Sequence, residues 1–171
     1  EVANKEQNFD IKKLKPIFGD LPNNIEIEKI DFNSVNIFSF NVSKKLRLKD
    51  LKIETNLNLE NFQIVKNPLN LKTFLPNYAE QIKFKDHKIK IELIKGILDI
   101  KGGGDIHIGD ESEQLSYSVI KDDSKITFDT NLNIKNNPLT INFLDYKKKK
   151  GNSSEILLKG IYKKNKELIL K

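Results

Sequence analysis

The sequence predicts an all-β protein: a mostly antiparallel, twisted and curled sheet that forms an open groove, with one or two short helices. Three observations support this prediction. Apolar and polar residues alternate with period two along much of the chain, which is the pattern of half-buried strands. Polar and glycine-rich turns separate these segments at short intervals. Helical periodicity, by contrast, is scarce.

The alternating segments predict about ten to twelve strands with the turn spacing of an antiparallel meander. The clearest example places Ile53 and Leu57 on one face of a strand and Lys52 and Glu54 on the other. In chain order, the alternating segments lie at 25–28, 34–42, 51–60, 88–93, 106–108, 115–119, 125–134, 139–143, 156–158, 161 and 168–170.

The turns support these boundaries. Residues 109–112, 121–124 and 163–166 are predicted to form polar hairpin tips, and 147–154 a longer exposed loop. The glycine run 102–104 is predicted to mark a strand break, as a bulge or a sharp bend. A phosphate-binding loop is the weaker interpretation, because neither a Lys-Ser/Thr pair nor a helix follows the run.

Two segments show helical spacing. Residues 10–18 place apolar side chains three to four positions apart and are followed by Gly19 and Pro22. Residues 70–81 form one apolar stripe, which Pro76 interrupts. We therefore predict two short helices, each of which caps a face or an edge of the sheet.

The chain is expected to have two parts. Residues 1–45 are expected to hold an amino-terminal short helix and the first strands. Residues 46–171 are expected to form a sheet of repeated long strands, the whole chain being one segment of a larger protein.

An internal echo suggests that the sheet grows by repetition. Residues 55–59, followed by 67–75, are similar to residues 130–134, followed by 137–144. A strand-then-loop unit used twice has this signature. A chance match in an Asn-rich sequence is the alternative.

The composition excludes several kinds of site. There is no Cys, so disulfides, thiolate nucleophiles, iron–sulfur clusters and Cys-type zinc sites are excluded. The net charge is +6, but Arg47 is the only arginine, which argues against sequence-specific nucleic-acid recognition. A surplus of Lys, Asn and Ile is typical of an AT-rich genome, and attraction to anionic lipid or nucleic acid is the alternative. No apolar run is long enough for a transmembrane helix.

The polar candidates do not form a catalytic or metal-binding pattern. His107 is predicted to lie on the polar face of a strand, and His87 in a turn. The carboxylates of Asp110, Glu111 and Glu113 are expected to be solvated turn residues. We expect no enzyme activity, no metal and no cofactor.

The apolar face of the sheet is the informative feature. Two short helices cannot shield about ten strands, so either the sheet folds onto itself or its apolar face is left for a ligand. We predict a lipid groove with a wall of Ile, Leu and Phe and no charged residue. The predicted wall residues are Ile53, Leu57, Ile89, Ile91, Leu93, Ile126, Phe128, Leu132 and Ile134.

Three segments resemble the AsmA-like family, in particular its YhdP-type members. Residues 67–76 are similar to the family's short helix with a Leu-Pro step. Residues 89–104 are similar to its long alternating strands with Gly-rich breaks, and 157–162 to its repeated apolar-x-Gly-x-apolar strands. The resemblance implies a periplasmic protein with an inner-membrane anchor outside this chain, whose apolar groove carries phospholipid to the outer membrane.

The expected function is therefore to bind and conduct phospholipid acyl chains between the inner and outer membranes, with envelope proteins as further partners and no nucleic acid. A surface-exposed β-sandwich lipoprotein or adhesin, with a dry interior and no groove, is the first alternative. An enzyme such as a glycan hydrolase, which needs two carboxylates facing each other in a cleft, is the second.

Overall fold

The computed structural model describes residues 2–7, 26–66, 71–76, 78, 81–163 and 168–170. These residues form eleven strands and two short 3-10 helices, at Leu71–Thr73 and Asn142–Leu144. The strands are β1 (Val2–Gln7), β2 (Glu26–Val42), β3 (Leu48–Lys66), β4 (Ile82–Ile94), β5 (Ile97–Ile108), β6 (Glu111–Lys121), β7 (Lys125–Ile134), β8 (Leu139–Ile141), β9 (Tyr146–Lys148), β10 (Ser154–Lys163) and β11 (Leu168–Leu170).

Nine of these strands form one antiparallel sheet in the order β1-β2-β3-β4-β5-β6-β7-β10-β11. Each strand pairs with the next one along the chain, except that the hairpin β8–β9 lies between β7 and β10 in sequence. The sheet is open and does not close into a barrel. The prediction of a mostly antiparallel, open sheet is therefore confirmed.

The two ends of the sheet differ. At one end, which we call the core end, the connections after β3 and β7 cover one face of the sheet. The buried residues there are Leu75, Tyr78, Ile82, Ile106, Ile108, Ile134 and Leu139. The two connections also contact each other, because the amide of Thr140 donates to the carbonyl of Phe74 at 2.8 Å. At the opposite end, the tip end, short turns join β2 to β3, β4 to β5 and β6 to β7.

The helix predicted at 70–81 is wrong for the residues that the structure describes there. Only Leu71–Thr73 is helical, as a single 3-10 turn. Pro76 lacks an amide proton and disfavours the helical conformation at the residue before it. The apolar stripe instead supplies Leu75 and Tyr78 to the core cluster. The helix predicted at 10–18 lies outside the described residues.

The strand break predicted at the glycine run 102–104 is also wrong, because β5 passes through all three glycines. The irregularity lies on the neighbouring strand, where the register with β5 shifts between Lys85 and Lys88. Asp86, within that step, has φ +54°. This bulge shifts the alternation of β4 by one residue. After the bulge, odd-numbered residues lie on the face that even-numbered residues occupy before it.

The boundary expected between residues 45 and 46 falls in the turn that joins β2 to β3, and these two strands pair along most of their length. The two echo segments 55–59 and 130–134 lie in β3 and β7. Leu75 and Leu139, in the connections that follow these strands, both belong to the core cluster.

A buried carboxylate fastens the turn after β7. Glu113 is buried, and its carboxylate accepts hydrogen bonds from the amides of Lys135, Asn136 and Asn137 at 2.6–2.8 Å. The expectation of a solvated turn residue is therefore wrong for Glu113. The carboxylate of Glu113 is buried because it is the hydrogen-bond acceptor for these three backbone amides, and buried N–H groups need acceptors.

The exposed loop predicted at 147–154 contains one buried cation. Lys148 ends β9 and is buried, and its ammonium group donates to the carbonyls of Lys135 and Asn152 at 3.2 and 2.7 Å. It ties the end of the hairpin β8–β9 to the end of β7. The neighbouring Lys147 and Lys149 are exposed, as predicted.

Candidate functional site

The candidate site is one face of the nine-stranded sheet, which we call the apolar face. Residues that pair across antiparallel strands project to the same side. Ile53 pairs with Leu93, and Leu93 with Leu98. All nine predicted wall residues follow the same register and share this face: Ile53, Leu57, Ile89, Ile91, Leu93, Ile126, Phe128, Leu132 and Ile134.

On the apolar face, burial is greatest at the core end, although Ile100 is also buried. Ile134, at the core end, has no exposed surface, because the connections after β3 and β7 pack there. The other eight predicted wall residues are half-buried. Leu158 and Tyr162, on β10 of the same face, are exposed. Most of the predicted wall is thus accessible, whereas Ile134 belongs to the protein's own core.

Aromatic rings cover glycines at two points on this face. Gly102 pairs with Tyr117, and Gly160 with Phe128. A Cβ atom built on Gly102 would lie 2.7 Å from a ring carbon of Tyr117, and one on Gly160 would lie 2.5 Å from a ring carbon of Phe128. The rings therefore occupy the space above the glycines and keep the apolar surface continuous. Burial raises the pKa of the Tyr117 hydroxyl to about 12.

His87 lies in the middle of this aromatic surface. It is fully buried within β4, so the prediction of a turn residue is wrong. Its ring packs against Phe84 and Tyr117, with centroids 5.5 and 5.8 Å away, and covers Gly104. Its Nε2 lies 3.0 Å from the carbonyl of Asp105, to which the N–H donates. Burial lowers the pKa of His87, because it disfavours the charged imidazolium.

Polar groups interrupt the apolar face at its β2 side. Ser34 and Asn36 pair with Leu57 and Thr55, so they share the face. The hydroxyl of Thr55 donates to the Asn36 amide oxygen at 2.8 Å, and the Asn36 amide donates to the Ser34 hydroxyl at 3.0 Å. These bonds satisfy the polar groups among one another, which lowers the cost of their partial burial.

The prediction that the face carries no charged residue is wrong on β6. Lys121 pairs with Leu98 at the tip end, and Glu113 pairs with Ile106 at the core end. Glu113 is used by the backbone of the β7 turn, as described above. Both residues lie at the ends of β6, so the middle of the face remains uncharged.

The opposite face carries paired charges, but it also carries exposed apolar residues: Val35, Ile37, Ile120 and Leu157. Lys90 and Glu92 form an ion pair at 3.0 Å, and Lys159 and Asp129 another at 2.7 Å. His107 projects to this face, as predicted, since its neighbours Ile106 and Ile108 lie on the other. Exposed pairs of this kind contribute little to stability, but they keep this face hydrated.

Residues important to the surface were missing from the predicted wall. Tyr117 covers the centre of the face, and Leu158 and Tyr162 extend it to β10. Tyr117 lies in a predicted alternating segment, but its pairing with a glycine could not be predicted from the sequence alone.

The described residues contain no group of three or more His, Asp or Glu side chains arranged to hold a metal ion. Nor does any helix among them have the length and apolar character needed to cross a bilayer. No family model, curated protein or solved structure matches this chain. The chemical feature that this arrangement presents to a ligand is a wide, uncharged apolar surface on a hydrogen-bonded sheet.

Proposed function

We propose that this chain binds phospholipid acyl chains along its apolar face, as one segment of a longer periplasmic envelope protein that conducts lipid between the inner and outer membranes. One observation carries the proposal: eight predicted wall residues share a single face of an open sheet and remain partly exposed. Monomeric soluble proteins rarely leave an apolar patch of this extent uncovered.

The dimensions fit an acyl chain. Neighbouring strands are about 4.8 Å apart, and one leaflet of a bilayer core is about 15 Å thick. An acyl chain lying across the strands would therefore touch three or four of them. Each methylene removed from water contributes about 0.8 kcal/mol, so burial of half a chain is enough for useful affinity.

The family resemblance supports the same proposal. The long alternating strands and the segments 67–76, 89–104 and 157–162 resemble AsmA-like proteins of the YhdP type. We propose that the groove continues in neighbouring segments of the full protein, that its inner-membrane anchor lies outside these residues, and that the protein is not an enzyme. The open meander is suited to such continuation, because strands can be added at its edges without changing the existing pairs.

Lipid co-purification tests this proposal. The chain is purified under mild conditions, extracted and examined by mass spectrometry for bound phospholipid. Ile91→Asp and Phe128→Asp place a charge on the apolar face and are expected to abolish the bound lipid. Thr127→Asp is the matched control, because residue 127 neighbours Phe128 but projects to the opposite face of the sheet.

Circular dichroism and solubility accompany each variant. The proposal predicts that the apolar-face variants stay folded while they lose lipid. If Ile91→Asp and Phe128→Asp both unfold, these residues are core and the groove is not a binding surface. If lipid remains bound to the folded variants, the apolar face is not where it binds.

A further inference from the structure

We propose that residues 43–49, the turn between β2 and β3 together with the first two residues of β3, dock the protein on an anionic phospholipid bilayer by inserting Leu46 among the lipid chains. We call these residues the basic tip. The proposal rests on three features of this turn: a strained and exposed leucine, four cations without ion-pair partners, and apolar strand ends on either side.

Leu46 occupies a conformation that leucine rarely adopts. Its φ is +54°, in the left-handed region, and 86% of its surface is exposed. Gly96 and Gly109 supply this conformation in the turns after β4 and β5, at φ +80° and +64°. A glycine would serve the backbone of the basic tip equally well. Neither local backbone preference nor burial explains the choice of leucine, which indicates a role outside the folded domain.

The turn holds Leu46 in a defined position. The amide of Leu46 donates to the carbonyl of Ser43 at 2.8 Å, and the amide of Arg47 donates to the Ser43 hydroxyl at 3.0 Å. The amide of Ser43 in turn donates to the carbonyl of Arg47 at 2.9 Å. The exposed leucine is therefore presented on a hydrogen-bonded turn.

Cations surround this leucine. Lys44, Lys45, Arg47 and Lys49 are all exposed, and none forms an ion pair with any residue that the structure describes. The nearest acid in sequence is Asp50, whose carboxylate accepts from the amide of Asn41 at 3.0 Å. A cluster of cations beside an exposed apolar side chain complements a surface of lipid phosphates over acyl chains.

The strand ends extend the apolar part of the tip. Phe40, Val42 and Leu48 are each more than half exposed. Further along β2, Phe38 pairs with Ile53, the first residue of the proposed lipid wall. A bilayer held at the basic tip would thus adjoin the apolar face. Only this last step rests on the proposed function, since docking itself requires the tip alone.

Vesicle flotation with the full chain tests the proposal. The vesicles consist of phosphatidylcholine alone or of phosphatidylcholine and phosphatidylglycerol in equal parts. We expect binding to the anionic vesicles that weakens with added salt, and much weaker binding to the neutral ones. Equal binding to both would overturn the electrostatic part of the proposal.

Leu46→Gly separates docking from folding. It removes the apolar side chain and relieves the left-handed strain, so the melting temperature is expected to stay the same or rise while vesicle binding falls at least tenfold. Lys45→Gln is expected to lower binding about fivefold, the effect of one cation near an anionic surface. Unchanged binding in Leu46→Gly would contradict the proposal.

Two control variants locate the effect. Phe143 is 80% exposed and precedes Lys147 closely in sequence, in the other half of the chain, so Phe143→Ser tests whether an exposed apolar residue elsewhere suffices. It is expected to keep full vesicle binding, and a loss as large as that of Leu46→Gly would overturn the assignment to the basic tip. Ile91→Asp is expected to keep vesicle binding while losing co-purified lipid, so failure of docking and failure of the groove are distinguishable.

Discussion

The ring of Tyr117 on β6 lies directly over Gly102 on β5, at the centre of the apolar face. A methyl group at Gly102 would meet the ring at 2.7 Å. The glycine leaves room for the ring, and the ring covers backbone that the glycine would otherwise expose. The same relationship between Phe128 and Gly160 shows that the apolar face is built from such pairs as well as from aliphatic residues.

Gly102→Ala is expected to destabilise the protein by about 1–3 kcal/mol, because its methyl group overpacks against Tyr117. In a Tyr117→Ala background the same substitution should be neutral or stabilising, since alanine suits a strand better than glycine. Urea unfolding of the two single variants and the double variant measures this coupling. Equal costs in both backgrounds would show that the ring does not set the need for glycine.

Gly160→Ala is expected to behave differently. Its methyl group would meet Phe128 at 2.5 Å and also the backbone carbonyl oxygen of Ile169 at 2.9 Å. Removing the ring in Phe128→Ala relieves only the first contact, so Gly160→Ala should remain destabilising in that background. The same urea experiment measures it, and complete rescue by Phe128→Ala would contradict the geometry of β10 and β11.

His87 is expected to make stability depend on pH. Its pKa in the folded protein lies below 6.5, the value for an unperturbed histidine, because burial disfavours the imidazolium. The unfolded chain therefore binds more protons between that lowered pKa and about pH 6.5, and stability falls as the pH is lowered through this window. Above about pH 6.5, the stability that depends on neutral His87 is fully present.

The urea midpoint at pH 7.5 and at pH 5.5 measures this effect. His87→Gln should remove most of the difference between the two pH values. His107→Gln, on the opposite face of the sheet, is the matched control and should leave the difference in place. If the urea midpoint of the wild-type protein is as high at pH 5.5 as at pH 7.5, the account of His87 is contradicted.

Glu113→Gln is expected to cost about 1.5–3 kcal/mol, the range for hydrogen bonds to a charged group. The amide side chain keeps one acceptor oxygen, whereas the carboxylate uses both oxygens for the amides of residues 135–137. Thermal unfolding measures the loss. Glu111→Gln, at a half-buried position in an ion pair with Lys150, is the control and should cost much less.

The strands and their faces were predictable because they depend on local alternation. A period of two fixes which residues share a face within one strand, and hydrophobic burial aligns those faces across neighbouring strands. The alternation therefore placed the nine residues from Ile53 to Ile134 on one common face, as the strand pairing shows. The same local signal predicted the turns after β5 and β6, at residues 109–112 and 121–124. The hairpin tip predicted at 163–166 falls largely outside the described residues.

The remaining errors involve contacts between distant parts of the chain. The bulge at Asp86 places His87 on the apolar face, and no local sequence pattern predicts this change in the alternation of β4. Glu113 is buried because the turn after β7, more than twenty residues away, presents amides to it. The stripe at 70–81 has helical spacing, yet its leucine and tyrosine pack against β4, β5 and β7 instead.

Site-specific labelling along β4 tests the central claim most directly, and the absence of cysteine makes it practical. Single cysteines at Ile89, Ile91 and Leu93, and at Lys88, Lys90 and Glu92, carry an environment-sensitive fluorophore while phospholipid is added. Lipid binding to the apolar face predicts a blue shift at the first three positions and none at the second three. The absence of any shift, or equal shifts at all six positions, would contradict the proposal.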